Sequence, residues 1–232
     1  MRVFLMLLIS LTLASQEAGF LDLLNQTIQP RQTESASATA SVVSVGAGDR
    51  EATQPPPQLL RITLSKLERS EYKIDQDLIY EVKLENLSSR PIQIPWTASP
   101  RDIEPARQGP YEYQMARLTP TLVDSSGQLE TLEPAIIFGS DAAGTTRVIA
   151  PNQWVRIRAK SRLSWHNQGS TSSPSAEPQA VRVGATWSLY RVSFAEHNGR
   201  YHETFVPTDE ECRSTNTIAI QIGASKDGRT PE

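Results

Sequence analysis

Residues 190–205 read YRVSFAEHNGRYHETF, and this stretch decides the fold. Asn198-Gly199 is the favoured pair for a two-residue type I′ turn, in which both central residues need positive φ. The register follows: His197 faces Arg200, Glu196 faces Tyr201, Phe194 faces Glu203 and Val192 faces Phe205. Side chains alternate across a strand, so one side of the hairpin carries Tyr190, Val192, Phe194, Tyr201 and Phe205. The other carries Arg191, Ser193, His197, Arg200, His202 and Thr204. One side is oily and the other polar, as expected for a hairpin lying on a core.

The same period of two recurs along the chain. Leu60, Ile62 and Leu64 alternate with polar residues, as do Leu78, Tyr80, Val82 and Leu84. Val155, Ile157, Ala159 and Leu163 share a face, and Ile218, Ile220 and Ile222 close the series. Residues 91–96 (PIQIPW) read as an extended edge element, because two prolines exclude a central strand. No stretch of 12 residues in this region has a helical period. Strands joined by turns, with no helices between them, predict an all-β fold: an antiparallel immunoglobulin-like β-sandwich over residues 58–223. Two insertions, residues 97–109 and 167–179, lengthen it beyond the minimal form.

The run DLIYEVKLENLSSRPIQIPW (residues 77–96) and the later APNQWVRIRAK (residues 150–160) resemble two strands of immunoglobulin-like domains in bacterial secreted and adhesion proteins. They are also similar in style to the sandwich of BsuPI-type proteinase inhibitors. The resemblance implies a fold and a tendency to bind. It carries no catalytic residue across.

Ahead of the sandwich, residues 1–14 (MRVFLMLLISLTLA) have the grammar of a secretory signal peptide. Arg2 is the basic start, Val3 to Leu13 the short apolar core, and small-residue cleavage chemistry precedes Ser15. The protein is therefore expected to be exported, either periplasmic or secreted. No later segment has 18 consecutive apolar residues, so no transmembrane segment is expected in the mature chain. Residues 15–57 read as a disordered linker with room for a brief amphipathic helix over 17–28, through Phe20, Leu21, Leu24 and Ile28. Residues 224–232 read as a flexible tail.

Composition narrows the function classes. A net charge of −3 with 21% charged residues gives no basic excess, which argues against nucleic acid as a partner. Cys212 is the single cysteine, so no intramolecular disulfide forms. With Asp209, Glu210 and Glu211 beside it, its thiolate is disfavoured, leaving a passive thiol or an intermolecular disulfide. Those three carboxylates lack the alternating spacing and glycine of a calcium loop.

Three constellations remain. Arg156, Arg158, Lys160 and Arg162 project from one side of a strand beside Trp154, a stripe that suits an anionic polymer. Such a stripe also suits an edge strand guarded against unwanted pairing. His197 and His202 are diagonal on the polar side of the hairpin, a start toward a metal site that lacks its third donor. Trp96, Tyr111, Tyr113, Trp165 and Trp187 are candidates for sugar stacking, or simply for core packing. Asn25-Gln26-Thr27 and Asn86-Leu87-Ser88 match the N-glycosylation pattern. Nucleophile elbows, zinc-protease helices, P-loops and dinucleotide fingerprints are all missing. The expectation is a non-catalytic binding module for a protein or a cell-envelope polymer, without cofactor. An anionic-polysaccharide binder using the basic face and a hydrolase with a dispersed acidic site are the alternatives.

Overall fold

The computed structural model describes residues 15–25, 59–105, 110–127, 129–163, 178–197, 200–208 and 212–223, without the side chains of residues 196, 197, 200 and 201. In chain order the strands are β1 (Gln16–Asp22), β2 (Leu60–Leu67), β3 (Glu71–Lys73), β4 (Asp77–Asn86), β5 (Ile92–Pro95), β6 (Tyr111–Val123) and β7 (Leu129–Thr131). They continue with β8 (Ala135–Gly139), β9 (Thr146–Ile149), β10 (Gln153–Arg162), β11 (Gln179–His197), β12 (Arg200–Pro207), β13 (Cys212–Arg213) and β14 (Ile218–Gly223).

One sheet has the order β1-β10-β4-β2. The other runs β3-β14-β11-β6-β7, with β12 and β13 also on β11 and β8 also on β6. The chain is thus an all-β sandwich, and an immunoglobulin-like class fits it. Two peripheral pairings, β1 with β10 and β14 with β3, are parallel, where a purely antiparallel fold was expected. A small separate pair, β5 with β9, holds the proline-flanked segment as an extended edge element as expected, with Ile94 reaching into the core.

Period-2 alternation builds the interior. Ile62, Leu78, Tyr80, Val82, Leu84, Val155, Ile157 and Ala159 of the first sheet are buried in one cluster with Ala116, Leu118, Ile137, Val183, Ala185 and Trp187 of the second. Tyr80 crosses the interface, its hydroxyl donating to the Leu118 carbonyl at 3.0 Å. Burial pushes that phenol up from its ordinary pKa, so it remains a neutral donor. Gly139 sits where β8 presses on Pro95; a Cβ there would lie 2.5 Å from the Pro95 Cα.

The hairpin has the expected register, from Tyr190↔Pro207 through Val192↔Phe205 to His197↔Arg200. The N-terminal segment differs from expectation. Its described part is strand from Gln16 to Asp22, in place of the amphipathic helix and disordered start of the linker. Gly19 weakens any helix there, and the backbone finds partners on β10 instead: Gln16↔Gln153 through Asp22↔Arg158, with a bulge between Glu17 and Gly19. Leu23 follows into the core, and its N–H donates to the Arg158 carbonyl at 2.9 Å. Residues 26–58 and the tail 224–232 lie outside the described residues.

Candidate functional site

The basic stripe stands on the outer face of the first sheet. Val155, Ile157, Ala159 and Ser161 turn inward, so Trp154, Arg156, Arg158, Lys160 and Arg162 turn outward. Lys160 and Arg162 lie past the end of β1, but β10 is flanked by β1 and β4 as far as Arg158, so edge protection is not the reason for Arg156 and Arg158. Their carboxylate neighbours are. Arg156 pairs with Glu17 at 3.1 Å and approaches Glu81 at 3.9 Å; Arg158 meets Glu68 at 3.4 Å and Arg162 meets Asp75 at 3.6 Å. Lys160 has no carboxylate partner among the described residues.

Further along this face, Glu85 holds Arg61 at 2.6 Å and Lys83 at 3.3 Å. Burial pushes the Glu85 carboxyl up, but the hydrogen bonds and charges of Arg61 and Lys83 outweigh it and hold the group below the usual carboxylate range. Lys83 lies 5.0 Å from the centre of the Trp154 ring, and Arg156 lies 5.0 Å from that of Phe20. The face is a lattice of alternating charge whose described cations, Lys160 apart, are already engaged.

The second sheet carries a different surface. On β6, Ala116, Leu118 and Leu122 point into the sandwich while Tyr113 and Met115 are buried in a second, smaller cluster with Ile103 and Val192. Alternation puts that cluster on the sheet's outer side. Tyr111, Ile136, Phe138 and Tyr190 pack half-buried around it. The Tyr111 ring lies 4.9 Å from Phe194 at 40°, and Tyr113 lies 6.3 Å from Phe138 at 47°, tilted rather than coplanar. Tyr113 donates to Glu203 on β12 at 3.0 Å. The insertion at 97–109 closes one side: Ser99 caps a 3₁₀ turn over Pro100–Ile103, which buries Ile103. Its last four residues, and residues 164–177 around the other insertion, lie outside the described set.

Beside this surface runs β12, eight residues long, which pairs with β11 and with no other described strand. The remaining edges are short or covered. At β2, the Asn216 side chain accepts from Leu64 N–H and donates to Leu64 C=O, both at 2.9 Å, and Thr215 N–H donates to Ile62 C=O at 3.0 Å. β1 has its bulge, and Arg147 donates to the Ala18 carbonyl. β8 is met by Trp96 and Thr97 through the Phe138 backbone. In a two-residue hairpin the pair flanking the turn is hydrogen-bonded and pairs alternate thereafter. Counting from His197↔Arg200, the backbone N–H and C=O of Phe205 turn away from β11. Phe205 is 43% exposed and Val206 52%.

The other candidates disperse. His202 lies opposite Ala195, diagonal to position 197, whose side chain is outside the description. Among the described residues no three His, Cys, Asp or Glu side chains converge to hold a metal. Trp187 is core, Trp96 is half-buried under Arg147, Tyr111 and Tyr113 belong to the outer cluster, and Trp165 is outside the described residues. The candidate sugar platform is therefore not one surface. Cys212 is buried opposite Trp187.

Asn86 of the second sequon is fully buried, with Nδ2 donating to the Arg90 and Ile149 carbonyls at 2.8 Å each. A nitrogen so committed cannot carry a glycan in the folded protein. A shallow depression of about 270 Å³ lies between Glu68, Arg69, Tyr72, Gln76, Asp77 and Ile79, and its Glu68 is spent on Arg158. Among the described residues no helix is long and apolar enough to cross a membrane.

The partners that neutralise the stripe, and the isolation of the β12 edge, escaped the sequence reading. The first come from β1, from β4 and from the turns after β2 and β3, and the second is a property of topology.

No protein-family model and no curated protein matches the chain. Among solved structures it is similar to the sporulation control protein Spo0M of Bacillus subtilis, with TM-score 0.35 and 10% identity over 72% of this chain and 51% of that one. It is also similar to the alkylpurine DNA glycosylase AlkC of Pseudomonas fluorescens bound to DNA with an abasic-site analogue (TM-score 0.30, 9% identity, 72% and 31% covered). A third is a β-glucosidase of Listeria innocua in complex with gluconolactone (TM-score 0.30, 10% identity, 71% and 16% covered). The chain spans about half of the first and less of the other two. Likeness at this level carries no argument about function.

Proposed function

We propose that the protein is an exported, non-catalytic recognition module that takes up an extended segment of a partner protein along the outer edge of β12. One observation carries this reading: every other long strand edge among the described residues is paired, bulged or plugged, and this one has no described strand beside it. A strand added here would gain main-chain hydrogen bonds. Its alternate side chains would lie beside Phe205, on the side of the outer aromatic cluster, and beside Val206 on the other side. The fitting ligand is a peptide with apolar residues at alternate positions. Export rests on residues 1–14, and β1 begins at Gln16, just past the cleavage signal.

The test is selection from a displayed library of linear peptides on the immobilised mature protein, followed by Phe205→Pro and Phe205→Ser. Proline removes the outward N–H without touching a bond to β11, so binding is expected to fall at least about tenfold, the equivalent of one lost hydrogen bond. Serine keeps the N–H and is expected to cost less. Peptides that bind Phe205→Pro as well as wild type, or a library that yields no binder, would overturn the reading.

The anionic-polymer alternative makes a contrary forecast. With three of the stripe's four cations engaged, the wild-type protein is expected to pass through heparin resin at about 0.15 M salt. Retention abolished by Arg156→Glu plus Arg158→Glu would favour that alternative instead.

A further inference from the structure

We infer that cleavage between Ala14 and Ser15 creates a cation for a seat already present at Glu85, and that the new α-ammonium of Ser15 pins β1 to the flank of β10. This rests on the export reading above. Hydrolysis by an export peptidase adds water across the Ala14–Ser15 peptide bond, leaving a carboxylate on Ala14 and an ammonium on Ser15. Before the cut, that nitrogen is a neutral amide.

The geometry of the seat is specific. The Ser15 hydroxyl donates to Glu85 Oε1 at 3.2 Å. The other oxygen, Oε2, takes Arg61 Nη2 at 2.6 Å, Arg61 Nε at 3.1 Å and Lys83 Nζ at 3.3 Å. Among the described residues Oε1 meets only the Ser15 hydroxyl. The α-nitrogen is three bonds from that hydroxyl oxygen, hence within about 4 Å of it and roughly 7 Å of Oε1 before any rotation of the released terminus. Glu85 is 7% exposed, so an ion pair there is little screened by solvent.

The charged groups around the seat come from every strand of the sheet: Arg61 on β2, Lys83 on β4, Arg156 on β10 and Glu17 on β1. The first two cations occupy the Oε2 side, and Arg156 is held by Glu17 and Glu81. The Oε1 side is left to the N-terminus.

Ahead of the bulge, β1 is fixed by the Gln16↔Gln153 pairing and by the Glu17–Arg156 ion pair. Its register shifts between Glu17 and Gly19, so a tie at Ser15 further secures the part ahead of the bulge. Processing thereby completes the sheet: the precursor has β1 held by backbone and side chains, and the mature chain adds a charged anchor.

The experiment has two separable parts. The full chain, produced with its own leader in an exporting bacterium, is analysed by intact mass, and a start at Ser15 is expected. Any other N-terminus overturns the processing site. Independently, chains beginning at Ser15 or at Leu13 are released from a removable fusion, each in wild-type and Glu85→Gln form. Two extra residues displace the charge by about 7 Å.

Hydrogen exchange at the Leu23 amide, which donates to Arg158, reads the docking of β1. Exchange is expected to be at least about fivefold faster in the Leu13 chain, and the difference to vanish in Glu85→Gln. Equal exchange in all four chains overturns the anchor while leaving the cleavage site standing. Should Glu85→Gln fail to fold, NMR titration of the Ser15 amine in the wild-type chain decides. A value above the ordinary 7.7–8.0 or so supports the pairing, and an unshifted or lowered one removes it.

Discussion

Trp187→Ala is expected to lower the free energy of unfolding by about 3–5 kcal/mol, a large share of the roughly 5–15 kcal/mol that holds a domain folded. Trp187 is 1% exposed and the largest of the fully buried side chains. It sits mid-way along β11, opposite Leu118 of β6 on one side and Cys212 of β13 on the other. Truncation therefore opens a void bounded by three strands, which have their own ladders to maintain and cannot collapse into it. Trp187→Phe provides the contrast. The indole Nε1 has no hydrogen-bond partner among the described residues, so phenylalanine forfeits volume without orphaning a polar group. Its cost is expected to stay near 1 kcal/mol. Urea titrations followed by far-ultraviolet circular dichroism measure both, and near-equal losses would mean that the indole is not a packing keystone.

Asn86→Ala is expected to cost about 3 kcal/mol, although it deletes only a small side chain. The amide is fully buried and each of its polar atoms is used. Nδ2 donates to Arg90 and Ile149 carbonyls at 2.8 Å, while Oδ1 accepts from Ser88 N–H at 2.8 Å and Ser88 Oγ at 2.7 Å. Alanine removes these four bonds at once, beside an interior where Ile149 is 0% exposed. The turn after β4 and the end of β9 come apart together. Thermal denaturation measures the loss; a shift of only a degree or two would mean that water replaces the amide. In a host that glycosylates, Asn86 is expected to be unmodified in all folded material, as read by peptide mass.

What the sequence makes legible is whatever repeats locally. β4, β10 and the β11–β12 hairpin announce themselves by alternation, because each covers a core with every second side chain, and the Asn198-Gly199 pair fixes one register outright. β1 is illegible for the opposite reason. Phe20, Leu21 and Leu24 have helix-like spacing, and the strand state of this segment is imposed by β10. The stripe from Arg156 to Arg162 is visible in the sequence, whereas its neutralisation requires Glu17, Glu68, Glu81 and Asp75 to arrive from elsewhere. The role of Asn216 in closing β2 is equally hidden, since an asparagine between Thr215 and Thr217 reads as an ordinary turn.

The pairing of β1 with β10 also sets an order of events at the ribosome. Glu17 and Arg156 are 139 positions apart, so the earliest-synthesised strand has no partner until most of the polypeptide has emerged. Throughout that interval β1 presents a bare ladder to any neighbouring molecule, and the hazard ends only when β10 has been made and the two strands meet.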